Sequence, residues 1–330
     1  MTCNDAGIRI RLLAVAAALA ASCNALAADP QSFPNRPLRI IVGFAAGGST
    51  DIIARLVAQS ISEALRQPVI VENRTGANGN IAAEATAKAP PDGYTMLMAA
   101  NGLTINPSLY RKLAYHPVTD FSPITQVAFI PNVLVVHPSL PVKSVKDFIA
   151  LARARPAQLT HGSSGTGSPG HLAGEVFKIM TQIQFVHVPY KSSAQALIDL
   201  LGGHLQLAFP TTFVAMPHIK TGKLRALGVT SRLRSKSLPS TPTIDEAGVP
   251  GYEVVGFYGM LAPAGVPKEI ISQLNSEVTK ALRSPGLQER LVQDGAEPVG
   301  STAEEFRAYI EADVRKWAKI IETAGIRFEP

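Results

Sequence analysis

Two short loops rich in glycine and hydroxyl side chains most constrain the fold of this chain. The first is Gly43-Phe-Ala-Ala-Gly-Gly-Ser-Thr-Asp51 and the second is Gly162-Ser-Ser-Gly-Thr-Gly-Ser-Pro-Gly170. Each follows an apolar run typical of a buried strand and precedes a segment with helical spacing. Free N–H groups and the positive end of the dipole lie at a helix start, so each loop is expected to cradle an anion without lysine or arginine.

The apolar pattern predicts strands that alternate with helices along most of the chain. A strand at 38–42 and a helix at 52–65 open the series, and a second series begins near residue 132. Such alternation predicts a parallel, doubly wound sheet in each half of an α/β protein. The last stretch predicts three helices, at 268–282, 286–294 and 302–323, and we expect them to pack on the first domain.

The length of the chain favours two domains, because one hydrophobic core usually stops growing below about 300 residues. The chain is expected to cross between the domains near residues 129–133 and 252–258. Two crossings form a hinge, and an interdomain cleft is a preferred ligand site. We predict domain 1 from residues 28–131 and 257–330, and domain 2 from residues 132–256.

The N-terminus has the pattern of a cleaved secretory signal. Arg9 and Arg11 precede an apolar stretch at 12–21, and Ala25-Leu-Ala27 follows it. This stretch is too short to span a bilayer, so we predict cleavage after residue 27 and a periplasmic protein. A lipoprotein site at Cys23 is the alternative.

Composition argues against several chemistries. Cys3 and Cys23 both lie in the predicted signal, so no disulfide or thiolate site is expected in the mature chain. The formal net charge of +6 is spread without a basic run, which disfavours nucleic-acid binding. The histidines form no His-Glu-x-x-His motif, and His187 and His204 are isolated. We therefore expect no metal and no cofactor.

The two loops approach catalytic motifs without matching them. The first loop has Ser49 where a phosphate-binding P-loop requires lysine. Around Ser164 the spacing gives Gly162 and then Thr166, which departs from the Gly-x-Ser-x-Gly of an esterase elbow. Tight turns and helix capping, for example by Ser168, remain structural alternatives for parts of both loops. No catalytic residues are predicted.

Longer motifs extend over nearly the whole mature chain. They are Arg36-Pro-Leu-Arg-Ile-Ile-Val-Gly-Phe-Ala-Ala-Gly-Gly-Ser-Thr-Asp51, Val71-Glu-Asn-Arg74, Ala89-Pro-Pro-Asp-Gly-Tyr94, Ile105-Asn-Pro107, Val188-Pro-Tyr-Lys191, Gly222-Lys-Leu-Arg-Ala226, Pro250-Gly-Tyr252 and Trp317-Ala-Lys319. With these motifs and the second loop, the chain resembles the Bug-type extracytoplasmic solute receptors of the tripartite tricarboxylate transporter family.

The resemblance implies a two-domain periplasmic-binding-protein fold of type II. It also implies that the protein is not an enzyme: it closes on a small carboxylate in the interdomain cleft and delivers it to the membrane permease subunits of such a transporter. Backbone amides, hydroxyls and ordered water, rather than arginine, would hold the carboxylate. A monomer is the default for such a clamp.

Carried over by position, the resemblance assigns ligand contacts to both loops and to nearby segments. The candidate contacts are Phe44, Gly48, Ser49 and Asp51 in the first loop and Ser163, Ser164, Gly165, Thr166 and His171 in or just after the second. Tyr190 is expected to add a wall. Thr104, Asn106 and Thr212 complete the set, from the Ile105-Asn-Pro107 match and the segment after Phe209.

The chain departs from the family pattern where the far end of the ligand would be recognised. Gly102 and Leu103 stand where relatives often have Thr-His, and Pro210 stands where an acid is common. Without that acid, a ligand ammonium group lacks an obvious partner. We therefore favour a dicarboxylate or an aromatic acid over aspartate or glutamate.

Two other classes of function stay open. A sensory receptor would present the closed form to a membrane signalling kinase rather than to a permease, and the receptor sequence barely separates these roles. A secreted hydrolase would need a nucleophile with a positioned base, and neither loop predicts one.

Overall fold

The computed structural model describes residues 33–190, 192–293 and 295–325, so the predicted signal segment lies outside the described residues. The strands are β1 (Leu38–Val42), β2 (Val69–Asn73), β3 (Thr95–Ala99), β4 (Phe121–Pro131), β5 (Val133–Val136), β6 (Thr160–Ser163), β7 (Val186–Pro189), β8 (Leu207–Ala208), β9 (Arg225–Val229), β10 (Val255–Pro263) and β11 (Glu297–Pro298). The α-helices are α1 (Ser49–Leu65), α2 (Asn80–Ala87), α3 (Gly102–Leu109), α4 (Val145–Ala154), α5 (Pro169–Thr181), α6 (Ser193–Leu201), α7 (Thr212–Lys220), α8 (Lys268–Leu282), α9 (Pro285–Gln293) and α10 (Ala303–Ala324).

The strands form two sheets. The first sheet has the order β11-β4-β10-β3-β1-β2 and the second has the order β7-β6-β8-β5-β9. Within them, β2, β1 and β3 run parallel, as do β7, β6 and β8. The predicted alternation of strands and helices is therefore confirmed over these parts of both sheets.

The parallel order expected from this alternation holds for those strands, and each sheet departs from it by a reversed strand in its interior. β10 lies antiparallel between β3 and β4, and β5 lies antiparallel between β8 and β9. The chain leaves the first sheet at the end of β4 and returns to that same end through β10. A strand that re-enters where its neighbour left must run the opposite way, and the same holds for β5 in the second sheet.

The two passages between the sheets are hydrogen-bonded to each other. Asn132 alone separates β4 from β5, and its N–H donates to the Thr230 hydroxyl at 2.8 Å. In return, the N–H and the hydroxyl of Thr230 donate to the Asn132 carbonyl at 2.9 and 3.0 Å. The N–H of Val254 then donates to the Thr230 carbonyl, which ties the returning segment to the same point.

One helix and one strand are not predicted from the sequence, because each contains residues that disfavour its type of secondary structure. Helix α3 contains Gly102 and Pro107, and strand β4 contains Pro123. Tertiary packing compensates in α3, where Leu103, Ile105 and Leu109 are buried. The sequence pattern also predicts a short helix near 216–221, and the observed helix α7 begins earlier, at Thr212.

The last helix packs on both halves of the protein rather than on the first alone. Near its start, Phe306 and Ile310 belong to an apolar cluster with residues of β1, β3 and β10. Near its end, Trp317 and Ile321 belong to a second cluster built mainly from the helices and strands of the second sheet. The expectation that the first domain hosts this helix is therefore only half correct. Its predicted capping box at Thr302 is present.

A buried polar group fixes this helix against α3. The Asp313 carboxylate accepts hydrogen bonds from the Thr104 hydroxyl at 2.7 Å and from Trp317 Nε1 at 3.0 Å. Burial raises the pKa of Asp313, and the two hydrogen bonds act in the opposite direction.

In the described ranges no helix is both long and apolar enough to cross a membrane.

We expect Trp317→Ala to lower the free energy of unfolding by about 3 to 5 kcal/mol, because it opens a cavity in a dry cluster and removes a donor from Asp313. Lys319→Ala, at an exposed position of the same helix, is the matched control and should change the free energy of unfolding by less than about 0.5 kcal/mol. Urea denaturation followed by circular dichroism measures both. Equal losses in the two variants would contradict the role assigned to α10.

Candidate functional site

Two cavities meet where loops from both sheets come together. The first-sheet chamber has a volume of about 150 Å³ and the second-sheet chamber about 190 Å³. Asn132, Pro169 and Thr211 line both, so the chambers are contiguous at the first passage between the sheets. The first-sheet chamber is also lined by Phe44, Thr50, Asn78, Asn101, Gly102, Ile105, Gly167, Phe257 and Tyr258, and the second by Ser163, Ser164, Gly170, Ser193, Leu197 and Phe209.

The N-termini of five helices lie at these chambers. α1 and α3 begin at the first-sheet chamber, beside Thr50 and Asn101. α5, α6 and α7 begin at the second-sheet chamber, beside Pro169, Ser193 and Thr211. The N-terminal residues of α1 and α7 have no side-chain cap, so their first N–H groups are left for another acceptor. In α3, the N–H groups of Leu103 and Thr104 donate to the carbonyls of Ala100 and Asn101.

Charged side chains are absent from the described residues that line the two chambers. The positive ends of the helix dipoles therefore supply the local field, and the polar lining consists of amide and hydroxyl groups. In the described ranges no group of three or more His, Cys, Asp or Glu side chains is arranged to hold a metal ion.

In the first loop, Phe44 lines the first-sheet chamber, and Gly48 is the N-terminal cap of α1. Ser49 lies, with Thr50, beside the hydroxyl of Tyr258. Burial raises the pKa of Tyr258 to about 12, although the contacts with these two hydroxyls oppose the rise. Tyr258 is therefore a neutral phenol at the chamber wall.

Asp51 does not face the chambers. Its carboxylate accepts from the Gly47 N–H at 2.8 Å, from Arg55 Nε at 3.0 Å and from Asn73 Nδ2 at 2.8 Å. Burial alone would raise the pKa of Asp51, but these hydrogen bonds outweigh it and lower the pKa. The structure thus assigns Asp51 to holding the first loop from behind.

In the second loop, Ser164 lines the second-sheet chamber, and Ser163 contributes to its wall with a side chain that is already hydrogen-bonded. The Ser163 hydroxyl donates to the Gly165 carbonyl, accepts from the Gly165 N–H, and lies 2.6 Å from His187 Nε2. Gly165 has a φ of +115°, which this tight contact requires. Thr166 is exposed and is absent from the described lining.

Five other predicted contacts lie away from the chambers. His171 is buried behind the second loop, and its Nδ1 accepts from the Gly167 N–H at 3.1 Å. Thr104 is fully buried against Asp313, and Thr212 donates to the Gly295 carbonyl. The Tyr190 hydroxyl donates to Asp199 in a separate shallow groove.

Asn106 is the fifth, and it supports the first-sheet chamber from behind. Its amide exchanges hydrogen bonds with the side chain and carbonyl of Asn78, which lines that chamber. Gly102 is required beside this turn, because a Cβ there would lie 2.1 Å from the Asn78 carbonyl oxygen. The amide of Asn106 thereby sets the position of a chamber wall.

Several lining residues were not predicted from the sequence. Asn101 exchanges hydrogen bonds with β10 at Val255 and Phe257, and Asn132 Nδ2 donates to the Phe209 carbonyl at 2.6 Å. Thr211 stands one residue before the predicted Thr212. These residues come from the ends of strands and from the passage between the sheets, so only the assembled topology brings them together.

The comparisons with known proteins agree with this architecture. Residues 53–326 match the family described as "Tripartite tricarboxylate transporter family receptor", TctC. Protein BugT of Bordetella pertussis is 35% identical over 322 residues, which are 97% of this chain and 99% of BugT.

Two solved structures extend the comparison to the fold. R. palustris Rpa4515 with adipate has a TM-score of 0.78 and 42% identity, over 89% of this chain and 99% of that one. The periplasmic binding protein BugD has a TM-score of 0.75 and 35% identity, over 90% of this chain and 100% of its own. The predicted two-domain periplasmic-binding-protein fold is therefore confirmed, and the chain belongs to the Bug-type receptors of the tripartite tricarboxylate transporter family.

Proposed function

We propose that this receptor captures a small carboxylate in the two chambers, with a dicarboxylate or an aromatic acid favoured. The observation that carries the proposal is the convergence of five helix N-termini on cavities whose described lining has no charged side chain. Such a surface attracts an anion and offers N–H and hydroxyl donors to its oxygens. It offers no carboxylate to a ligand ammonium group, which argues against an amino acid.

The energies involved are consistent with micromolar binding only if several donors act together. One helix terminus contributes about 0.3 to 1 kcal/mol, or up to about 2 when partly buried. A micromolar dissociation constant needs about 8 kcal/mol, and a hydrogen bond to a charged group adds roughly 1.5 to 3. Donors from both loops must therefore converge on one ligand.

A dicarboxylate is supported by the spread of the helix starts over both chambers. α1 and α3 begin at the first-sheet chamber and α6 at the second, while α5 and α7 begin beside Pro169 and Thr211, which line both. Ile105, Leu197 and Phe209 give the chambers an apolar component. A ligand with a carboxylate in each chamber and methylene groups between them would match this distribution. The relative with 42% identity carries such a ligand, adipate.

We infer binding without catalysis. Ser163 and His187 form a serine–histidine pair at the second-sheet chamber, with Oγ and Nε2 2.6 Å apart. Burial, helped by the neighbouring His171, lowers the pKa of His187 to about 4. A general base works best with a pKa near the working pH, so His187 is poorly suited to activate a nucleophile at neutral pH.

The cellular role proposed here follows from the family and from the sequence. The signal pattern in residues 1–27 supports cleavage and a periplasmic receptor, and the family supports delivery to transporter permease subunits. We also propose that residues 28–131 and 257–330 form one domain and residues 132–256 the other. The clamp is expected to act as a monomer.

Thermal unfolding tests ligand capture directly. The protein is unfolded and refolded to remove carried-over ligand, and is then heated with dicarboxylates, tricarboxylates, amino acids and aromatic acids. A ligand at 100 times its dissociation constant should add about 2.7 kcal/mol to the free energy of unfolding and raise Tm by several degrees. No shift with any carboxylate, on protein shown by circular dichroism to be refolded, would contradict the proposal.

Two conservative substitutions test the location of the site. Ser164→Ala and Thr211→Val each remove one hydroxyl from a chamber wall and should weaken carboxylate binding about tenfold, the loss of roughly 1.5 kcal/mol. Thr166→Val is the matched control, since Thr166 lies exposed in the same loop. Isothermal titration calorimetry measures all three. Equal effects of Thr166→Val and Ser164→Ala would argue against the chambers as the binding site.

A further inference from the structure

Three histidine rings lie together behind the second loop. They are His161 on β6, His171 on α5 and His187 on β7, and the central ring, His187, is stacked on His171 and tilted against His161. The ring centroids of His171 and His187 are 3.9 Å apart, and those of His161 and His187 are 5.5 Å apart. Binding the proposed ligand does not require these rings to touch it, so their place in the structure needs another account.

His171 is bonded to the loop itself. The Gly167 N–H donates to His171 Nδ1 at 3.1 Å, so this nitrogen must carry a lone pair rather than a proton. The proton of the neutral ring is then on Nε2, which lies 3.5 Å from Glu175 Oε1. Glu175 also pairs with Lys178 at 2.7 Å.

Gly167 is the point where the second loop reaches across to the first sheet. It lines the first-sheet chamber, although its loop follows a strand of the second sheet. Its φ is +78°, and a Cβ there would lie 2.8 Å from Leu109 Cδ1 in α3. The hydrogen bond to His171 therefore fixes a residue that contacts both the ligand chamber and the opposite half of the protein.

The first loop contains the same arrangement with a different acceptor. Gly47 has a φ of +80°, and its N–H donates to Asp51 four residues later, just as Gly167 donates to His171. The pKa of Asp51 is lowered, so this acceptor keeps its lone pairs through the neutral and mildly acidic range. The acceptor in the second loop is an imidazole, which can gain a proton on the bonding nitrogen.

We propose that His171 is a positioning residue that holds Gly167 against α3 only while its ring is neutral, so that protonation of His171 weakens ligand capture. This inference rests on the proposed function. A protonated ring would place two donors, Nδ1–H and the Gly167 N–H, against each other and would break the bond. The new charge would also lie against the half-buried ring of His187.

Of the three rings, His171 is the one that accepts a hydrogen bond from a backbone N–H of the second loop, that of Gly167. Burial lowers the pKa of His187 to about 4 and the pKa of His161 well below its ordinary value, and charges on the neighbouring rings act in the same direction. The rings of His187 and His161 are therefore neutral at neutral and mildly acidic pH. Glu175, with its pKa lowered by hydrogen bonds from His171 and Lys178 against the effect of burial, stays ionised and faces Nε2 rather than Nδ1.

The binding test uses adipate and three proteins. As the pH is lowered and His171 is protonated, the dissociation constant of the wild type should rise by up to about tenfold for each pH unit. The reason is that ligand capture then requires the release of one proton. His171→Asn keeps an acceptor near the Nδ1 position that does not titrate, and should bind as the wild type does at pH 7.5. Down to pH 5.5 it should show only the small rise, common to all three proteins, that protonation of adipate itself causes. His204→Asn, at an exposed histidine, should keep the wild-type profile. A His171→Asn profile that follows the wild type would overturn the proposal.

A second measurement needs no ligand and no variant. Nitrogen-15 NMR of the ligand-free wild type follows the His171 ring nitrogens and the Gly167 amide as the pH is lowered. The Gly167 amide resonance should shift in step with protonation of His171 Nδ1, and a Gly167 resonance that stays fixed while Nδ1 gains its proton would refute the coupling. Absence of adipate binding at every pH would count against the proposed ligand class alone, since the NMR result decides the role of His171 by itself.

Discussion

The hydrogen bonds between Asn132 and Thr230 fix the place where the chain passes twice between its two sheets. The backbone groups of the two residues and the Thr230 hydroxyl bind one another, and Val254 joins the same point from the returning segment. Both sheets therefore end their parallel strands at one common cleft. The helices that follow those strands begin there, and their N–H groups and dipoles point to the same two chambers.

Charge is kept behind the chambers rather than inside them. Asp51 with Arg55 lies behind the first loop, and Glu175 with Lys178 lies near the second. Each loop is held by a bond from a glycine N–H to a side chain four residues later, which fixes the positions of the remaining donors. Preorganised amide dipoles can then bind a carboxylate without the desolvation cost of a buried counter-ion.

Much of the fold could be predicted from local sequence, and the remainder depends on long-range geometry. Apolar periodicity predicted β1, α8, α9 and α10 with bounds equal or nearly equal to those observed. The reversed direction of β10 was missed, because it depends on where the chain re-enters the sheet and not on the residues of the strand. Helix α3 was missed because burial of Ile105 and Leu109 overrides the poor helix propensity of Gly102 and Pro107.

The two glycine- and hydroxyl-rich loops indicate the position of the chambers better than single residues do. Phe44 of the first loop lines one chamber and Ser164 of the second loop lines the other. The loop sequences do not predict the direction in which each side chain points. Thr212 is buried, whereas its neighbour Thr211 lines both chambers. Asp51 and His171 share a spacing of four residues from a glycine, which is the signal that would have assigned them to supporting the loops.

The most direct test of the account compares one ligand in its charged and uncharged forms. Isothermal titration calorimetry would measure the binding of adipate and of its diamide, which has nearly the same shape, to the refolded protein at pH 7.5 and low salt. We expect adipate to bind at least about a hundredfold more tightly, because the helix N-termini act on carboxylate charge and a hydrogen bond to a charged group is worth roughly 1.5 to 3 kcal/mol. Equal affinities for the acid and the diamide would contradict it.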